Sequence, residues 1–330
     1  MVSCRPMGRL TQTILRHRAA VLSRTLGSAR ALHSFASEYR RPEALVSTSW
    51  LEDNLRDPAL RVYDCTTHLI YTTVGSAGHA RVPYEVVSGR DDYGRGHIPG
   101  AGFLDLQGAL SVDESPHYFT LPSAEEIADA LAAHGMGDES RVVLYSSTSP
   151  QWATRLWWML RSIGFDHAAV LNGGLTKWKS EARPISTEAC SYPPAKLTAR
   201  PRPQLWVDKS TTLAAIDDGR TCIINALTNE IHRGDDLQYG RAGHITGSVN
   251  VPVRATFDAN TTEFYDAMTV RRLFEAAGAH EAEKVIVYCG GGIAATGDAF
   301  LLHQLGCEDV AVYDASLSEW TKDSSLPMKT

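Results

Sequence analysis

An α/β fold, built from one unit written twice, is what the sequence predicts. Three observations carry that expectation. Short β-branched apolar runs alternate with stretches of helical apolar spacing, the pattern of a parallel sheet with helices on both faces. Residues 45–183 and 205–326 follow the same order of elements with matching motifs. Between them, Pro184 to Pro203 holds Pro193, Pro194 and Pro201 and lacks apolar periodicity, the composition of a stiff connector. A chain of 330 residues is long enough for each half to bury its own core. We therefore assign one domain to 45–183, a linker to 184–204 and a second domain to 205–327.

The N-terminus stands outside this scheme. Residues 1–37 contain Arg5, Arg9, Arg16, Arg18, Arg24 and Arg30 and no Asp, Glu or Lys. Leu10, Ile14, Val21 and Leu22 can share a helical face with arginines opposite. That composition fits an organelle transit peptide over 1–38, cut between about 32 and 40, and a mitochondrial matrix location. The plainer alternative is a disordered basic tail.

In chain order, each half opens with a short helix, Ser49–Leu55 or Lys209–Asp217. A strand follows, Val62–Asp64 or Ile223–Asn225. Next comes a polar loop bearing Tyr93-Gly-Arg-Gly-His-Ile-Pro-Gly-Ala101, matched by Tyr239-Gly-Arg-Ala-Gly-His-Ile-Thr-Gly-Ser248. Phe103-Leu-Asp-Leu and Val249-Asn-Val-Pro come after it. The next helix opens at Ser123 with Glu126 three residues on, a capping box; its counterpart spans about Thr269–Ala277. Strands Val142–Tyr145 and Val285–Tyr288 lead to helices Gln151–Ile163 and Ile293–Leu305, each ending near a glycine. The last strands are Ala168–Leu171 and Val310–Tyr313. After them, Leu171-Asn-Gly-Gly-Leu-Thr-Lys-Trp178 matches Tyr313-Asp-Ala-Ser-Leu-Ser-Glu-Trp320. Trp152, Trp157 and Trp158 read as core and domain-interface packing rather than as a ligand cage.

The halves differ at one place. In the second, strand Val285–Tyr288 runs straight into Cys289, then Gly290, Gly291 and Gly292, then a helix. Three glycines let the backbone curl with its amides inward. A thiol there sits over backbone N–H groups and a helix N-terminus, both of which favour an anion. Such surroundings lower a thiol pKa from about 8.5 to roughly 3.5–7.5. Cys289 therefore reads as a nucleophile, against the alternative of a buried structural thiol. In the first half Ser146 takes its place, followed by a loop without glycine, and that copy reads as inactive.

Composition narrows the function further. A net charge of −6 gives no nucleic-acid footprint. No apolar run approaches the roughly 18 residues that read as a membrane span. The six cysteines are scattered, with no CxxC spacing, so neither a zinc site nor a disulfide scaffold is expected, and a reducing compartment fits. No metal or other cofactor is expected.

These motifs resemble the two-domain rhodanese family of thiosulfate and 3-mercaptopyruvate sulfurtransferases, over about residues 45–326. The most specific stretch is Cys289-Gly-Gly-Gly-Ile-Ala294, similar to the family's six-residue active loop. The Gly-His-Ile elements at 96–100 and 243–247 and the Tyr-Asp-x-Ser-x-x-Glu-Trp element support it. The resemblance implies two tandem rhodanese-like domains, the first without the Cys. It also implies double displacement through a persulfide on Cys289, with the backbone of Gly290, Gly291, Gly292, Ile293 and Ala294 holding the sulfur. The partners are then a small-molecule sulfur donor and a thiol acceptor, such as thioredoxin or glutathione, or cyanide.

Loops resembling thiosulfate enzymes carry cations after the Cys, and those resembling mercaptopyruvate enzymes begin Cys-Gly with a hydroxyl residue third. Here the loop is uncharged, Gly291 leaves it without a hydroxyl, and Ala294 stands where many family loops have Thr. This favours mercaptopyruvate or another organic donor. Arg233 and Arg241 are the candidate substrate cations, near where the family places them, and His97 is a candidate to face the site across the domain interface. The ordinary roles for these three are surface ion pairs and turn stabilisation, since Arg241 and His244 have twins in Arg95 and His97. Two rivals remain. A cysteine phosphatase on a related fold needs an Arg where Ala295 stands. A non-catalytic binding module would have no need of Cys289 and its three glycines.

Overall fold

Two five-stranded parallel sheets of matching strand order carry the fold. A computed structural model describes residues 38–71 and 84–330. The basic segment expected to be a transit peptide lies outside the described residues. The first half runs β1 (Leu45–Val46), α1 (Thr48–Asn54), β2 (Leu60–Asp64), β3 (Thr67–Tyr71), β4 (Tyr84–Ser88), α2 (Arg90–Arg95), β5 (Gly102–Phe103), α3 (Ala124–Ala133), β6 (Arg141–Tyr145), α4 (Gln151–Ser162), β7 (Ala168–Leu171) and α5 (Gly174–Ser180). The second runs β8 (Trp206–Val207), α6 (Lys209–Ala215), β9 (Thr221–Asn225), α7 (Asn229–Arg233), β10 (His244–Ile245), β11 (Val249–Asn250), α8 (Ala267–Ala276), β12 (Lys284–Tyr288), α9 (Ala294–Gln304), β13 (Val310–Tyr313), α10 (Ser316–Trp320) and β14 (Met328–Lys329). The sheet orders are β5-β2-β6-β7-β1 and β11-β9-β12-β13-β8, parallel throughout.

Strand alternation sorts the core. Val142 and Leu144 of β6 face one layer while Val143 and Tyr145 face the other; Val285 and Val287 of β12 are likewise opposed to Ile286 and Tyr288. One layer of each half is private. The other layers merge into a single core, where α4 meets α9. Trp157 stands edge-on to Phe300 at 4.8 Å, and Thr154 Oγ1 lies 3.1 Å from Thr296 Oγ1. Trp152, Trp157 and Trp158 are all buried there, as packing residues.

Helix starts follow the side chains that the sequence offers. Ser123 and Glu126 close a capping box on α3, and Asp208 and Asp266 accept from the first turns of α6 and α8. Element ends differ from the sequence expectation by a residue or two, as helix ends commonly do.

Three features depart from the sequence expectation, the first a short antiparallel pair of β10 with β14, His244 opposite Lys329 and Ile245 opposite Met328. The polar loop after β2 contains an antiparallel hairpin, β3 with β4, pairing Thr67 with Ser88 through Tyr71 with Tyr84. The Pro-rich connector is a strap laid on the first half. Tyr192 Oη donates to Gly100 O at 2.7 Å and accepts from Val62 N–H at 3.0 Å, and Leu197 is buried. Proline removes backbone donors, so the strap is held mainly by side chains and by single bonds such as Arg200 N–H to Ile163 O at 2.6 Å.

Candidate active site

The Cys289 loop leaves the C-terminal end of β12 at the centre of its sheet. Tyr288, fully buried, turns its hydroxyl to accept from Ile245 N–H at 3.1 Å and to meet Ser248 Oγ at 2.9 Å, which fixes the strand end against β10. Cys289 is 2% exposed, and its N–H donates to Ser316 Oγ at 3.0 Å.

The loop's carbonyls are drawn outward by named donors. Leu317 N–H bonds Cys289 O at 3.1 Å, and Ser318 bonds Gly290 O through its N–H at 2.9 Å and through its hydroxyl. Arg155 Nη1 bonds Gly292 O at 3.1 Å, and Thr296 bonds Ile293 O through N–H and hydroxyl. Among the described residues, the N–H groups of Gly290, Gly291, Gly292 and Ile293 have no acceptor. Gly292 is in the left-handed region, φ +73°, which bends successive amides into a concave anion site. The α9 N-terminus follows at Ala294 and adds its own field.

Each glycine has its own reason. A Cβ at 290 would collide with the Tyr239 hydroxyl. One at 292 would lie 2.5 Å from Asp314 O and 2.9 Å from Arg155 Nη1. At 291 there is room, with Ser318 Oγ at 3.4 Å and Tyr84 Oη at 3.5 Å from the Cβ position. Two hydroxyls, those of Tyr84 of β4 and Ser318, thus stand beside Gly291, the second of them donated to Gly290 O. Burial first, then the neighbouring Cys289, pushes the Tyr84 phenol well above its ordinary range. Burial, then Tyr84 and Cys289, does the same for Tyr239. Both phenols keep their protons.

The matching loop of the first half is differently spent. Ser146 is buried, and its hydroxyl donates to Ser149 O within its own loop. The scaffold around it is conserved between the halves of this chain: Leu175 N–H bonds Ser146 O at 3.1 Å, and Thr176 Oγ1 bonds Ser147 O at 2.8 Å. No glycine run follows, so the amide cradle is not repeated.

The three anticipated residues outside the loop have protein partners of their own. Arg233, at the end of α7, is exposed and pairs with Asp235 at 2.9 Å and Glu230 at 3.7 Å. Arg241 donates to Asp323 O at 2.8 Å and Leu326 O at 2.9 Å, tying the C-terminal segment to the loop before β10. His97 is fully buried in the first half, stacked on Tyr93 at 3.8 Å, with Nδ1 2.8 Å from Tyr93 O and Nε2 3.0 Å from Glu188 O. Both ring nitrogens are occupied by backbone, so the expectation that His97 faces the site is corrected. His244 repeats the arrangement, stacked on His232 at 3.8 Å with Nδ1 2.7 Å from His232 O, as befits a turn-stabilising pair.

Burial pushes the thiols of Cys65, Cys190, Cys222 and Cys307 up, Cys222 to about 11 and Cys307 to about 12. Cys307 is fully buried, a packing residue of the merged core. Among the described residues no group of His, Cys, Asp or Glu is arranged to hold a metal ion.

Sequence reasoning passed over Arg155, Tyr84 and Tyr239. Arg155 did leave a signal, since one charge inside the apolar helix Gln151–Ser162 must be paired if it is buried.

With this geometry in hand, the comparisons with known proteins are specific. The Rhodanese-like domain model matches residues 47–181 and again 213–323. The sulfur carrier protein TtuD of Thermus thermophilus is 29% identical, covering 88% of this chain and 98% of that protein. The 3-mercaptopyruvate sulfurtransferase of Escherichia coli K12 is 30% identical, covering 86% and 97%. The thiosulfate sulfurtransferase of Cricetulus griseus is 29% identical, covering 84% and 91%. The crystal structure of SseA, a 3-mercaptopyruvate sulfotransferase from Escherichia coli, superposes with a TM-score of 0.66 at 26% identity, over 84% of this chain and 99% of that one.

Proposed function

The chain belongs to the rhodanese-like domain family, matched in both halves, and on that premise we propose that it is a sulfurtransferase working through a persulfide on Cys289. The observation that carries this reading is the set of unpaired amides at Gly290 to Ile293 around a buried thiol. A cradle of N–H groups suits a thiolate and, one bond further out, the terminal sulfur of a persulfide.

In the first step the Cys289 thiolate attacks the outer sulfur of the donor. The bond between that sulfur and the rest of the donor breaks, and its electron pair leaves with the departing group. For mercaptopyruvate this is a carbon–sulfur bond and the product, after taking up a proton, is pyruvate; for thiosulfate it is a sulfur–sulfur bond and the product is sulfite. In the second step an acceptor thiolate or cyanide attacks the terminal sulfur and displaces the Cys289 thiolate. The hydroxyls of Tyr84 and Tyr239, which stand beside Gly291 and Gly290, are the candidate hydrogen-bond donors to the sulfur anion in both steps.

An organic donor such as 3-mercaptopyruvate is favoured over thiosulfate. The loop carries no cation of its own, Arg233 and Arg241 are engaged elsewhere, and the wall beside Cys289 is phenolic. A dianion would enter such a site poorly compensated. Exposure to each donor followed by mass measurement of the Cys289 peptide tests the reading. An added sulfur atom, released as thiocyanate by cyanide, is the expected result, with mercaptopyruvate the more efficient donor by kcat/KM. No adduct with either donor would overturn the transferase reading in favour of a binding module. The arginine-rich, acid-free stretch at 1–37 supports import into the mitochondrial matrix, which a reporter fused behind residues 1–38 would test.

A further inference from the structure

We infer that Arg155, which the first half, with Ser146 in the place of the catalytic thiol, extends to Gly292 O, is the positioning residue that holds the Cys289 loop in its sulfur-binding shape. The first half is then a working part of the active site and not only a packing partner. What the loop is for rests on the sulfur-transfer reading; how it is held does not.

The side chain of Arg155 is completely buried, on the α4 face that meets α9. A buried guanidinium needs partners for its donors, and here Nη1 finds its partners across the interface, Nη2 finds one within the first half, and Nε has none among the described residues. Nη1 donates to Gly292 O at 3.1 Å and to Asp314 Oδ1 at 2.6 Å; Nη2 donates to Phe119 O at 2.5 Å. Its Cζ lies 4.6 Å over the Trp206 ring of β8. The other oxygen of Asp314 accepts from Leu121 N–H at 2.9 Å. One cation therefore ties α4 and the 119–121 segment of the first half to the loop, Asp314 and β8 of the second.

The consequence for the loop is specific. For the amides of residues 290–293 to be free to face an anion, the carbonyls must be turned away and satisfied. Those of Cys289, Gly290 and Ile293 are satisfied from within the second half, by Leu317, Ser318 and Thr296. Among the described residues, only Gly292 O takes its donor from the first half. Gly292 is also the loop residue held at a positive φ, where the Arg155–Asp314 pair leaves no space for a Cβ. Arg155 is, among the described residues, the one cationic side chain that hydrogen-bonds the loop, and it brings positive charge to a loop, Gly290–Ala294, that has none of its own. Because it reaches the loop from the carbonyl side, its loss should disturb the reactivity of the thiol more than the binding of donor.

The test uses the full chain with Arg155→Gln and Arg155→Lys. Alkylation of Cys289 by iodoacetamide across pH reads the thiolate without needing any sulfur chemistry, and donor kinetics are run beside it. Thermal melting identifies folded variants. Arg155→Gln is expected to slow neutral-pH alkylation about tenfold or more, to move its pH midpoint upward, and to lower kcat about tenfold with donor KM changed by less than about threefold. Arg155→Lys, a point charge without the planar fork, should recover part of the alkylation rate. If Arg155→Gln does not fold, Arg155→Lys decides by the same readings against wild type. A folded variant with wild-type alkylation and kcat would overturn the inference. If wild type accepts sulfur from no donor, the functional reading fails, and the alkylation profiles still judge the role of Arg155.

Discussion

Cys289 and Ser146 occupy the same place in two copies of one scaffold, and the difference between them is where their neighbours' hydrogen bonds go. The Ser146 hydroxyl is consumed by Ser149 O, whereas the amides after Cys289 are left over. Replacing Cys289 by Ser exchanges one small buried group for another and removes the only nucleophile that the cradle addresses. Cys289→Ser should leave the melting temperature close to wild type and abolish both the sulfur adduct and thiocyanate formation; turnover near wild type would sink the assignment. Ser146→Ala should leave turnover unchanged, read by the same thiocyanate assay. Cys289 was legible from sequence because its chemistry follows from local order, strand then thiol then three glycines. Tyr84 was not, because it reaches the loop from a hairpin some two hundred residues away in a half that shows no chemistry of its own. Arg233, Arg241 and His97 were named from the resemblance to the family, and a position in a motif does not say which backbone groups have already claimed a side chain, as they have for His97.

At the scale of elements, the turn between β12 and α9 is a strained connection held from three sides. Gly292 sits at φ +73°, and a Cβ there would stand 2.5 Å from Asp314 O. A left-handed conformation alone costs a residue with a Cβ roughly 1–2 kcal/mol. Gly292→Ala should therefore destabilise by about that much or more, seen in denaturant unfolding. It should also lower the yield of persulfide on Cys289, because relaxing φ rotates the 292 amide out of the cradle. Unaltered stability and yield would mean that the turn is not set by this residue. The alternation of strands and helices, the capping box on α3 and the strands Ala168–Leu171 and Val310–Tyr313 were readable, since each is dictated by neighbours in sequence, whereas β14 was not. The β3–β4 hairpin was not, because its residues are polar enough to pass for loop and its register is set by pairing alone. The strap at 184–203 looked free for a related reason: prolines announce stiffness, while the side chains that pin it, such as Tyr192, act on distant backbone.

At the scale of the whole molecule, the seam between the halves is a buried core that also encloses charge, and that combination makes stability depend on pH. His303, near the C-terminal end of α9, is 4% exposed and lies 5.8 Å from the Trp157 ring of the first half. Burial first, then Arg161 and Arg41, lowers its pKa from 6.5 to about 3, with Asp166 opposing and Arg202 adding to the fall. In the unfolded chain the same imidazole titrates near 6.5. Above that pH neither state binds the proton, and the full stability is present. Between about 6.5 and 3 the unfolded chain binds a proton that the native seam refuses, so stability falls as pH is lowered, by at most about 1.4 kcal/mol per pH unit from this group. Below about 3 both states are protonated and this contribution stops changing. Urea unfolding at a series of pH values between 7.5 and 4 should show that loss. His303→Gln, which cannot take up the proton, should show a shallower one, whatever its stability at pH 7.5. Equal slopes for the two proteins would mean that the seam admits a charged imidazole. The same low tolerance for charge is why Arg155, buried nearby in the merged core, must keep every partner it has, and why separating the halves should silence a site whose thiol lies entirely in one of them.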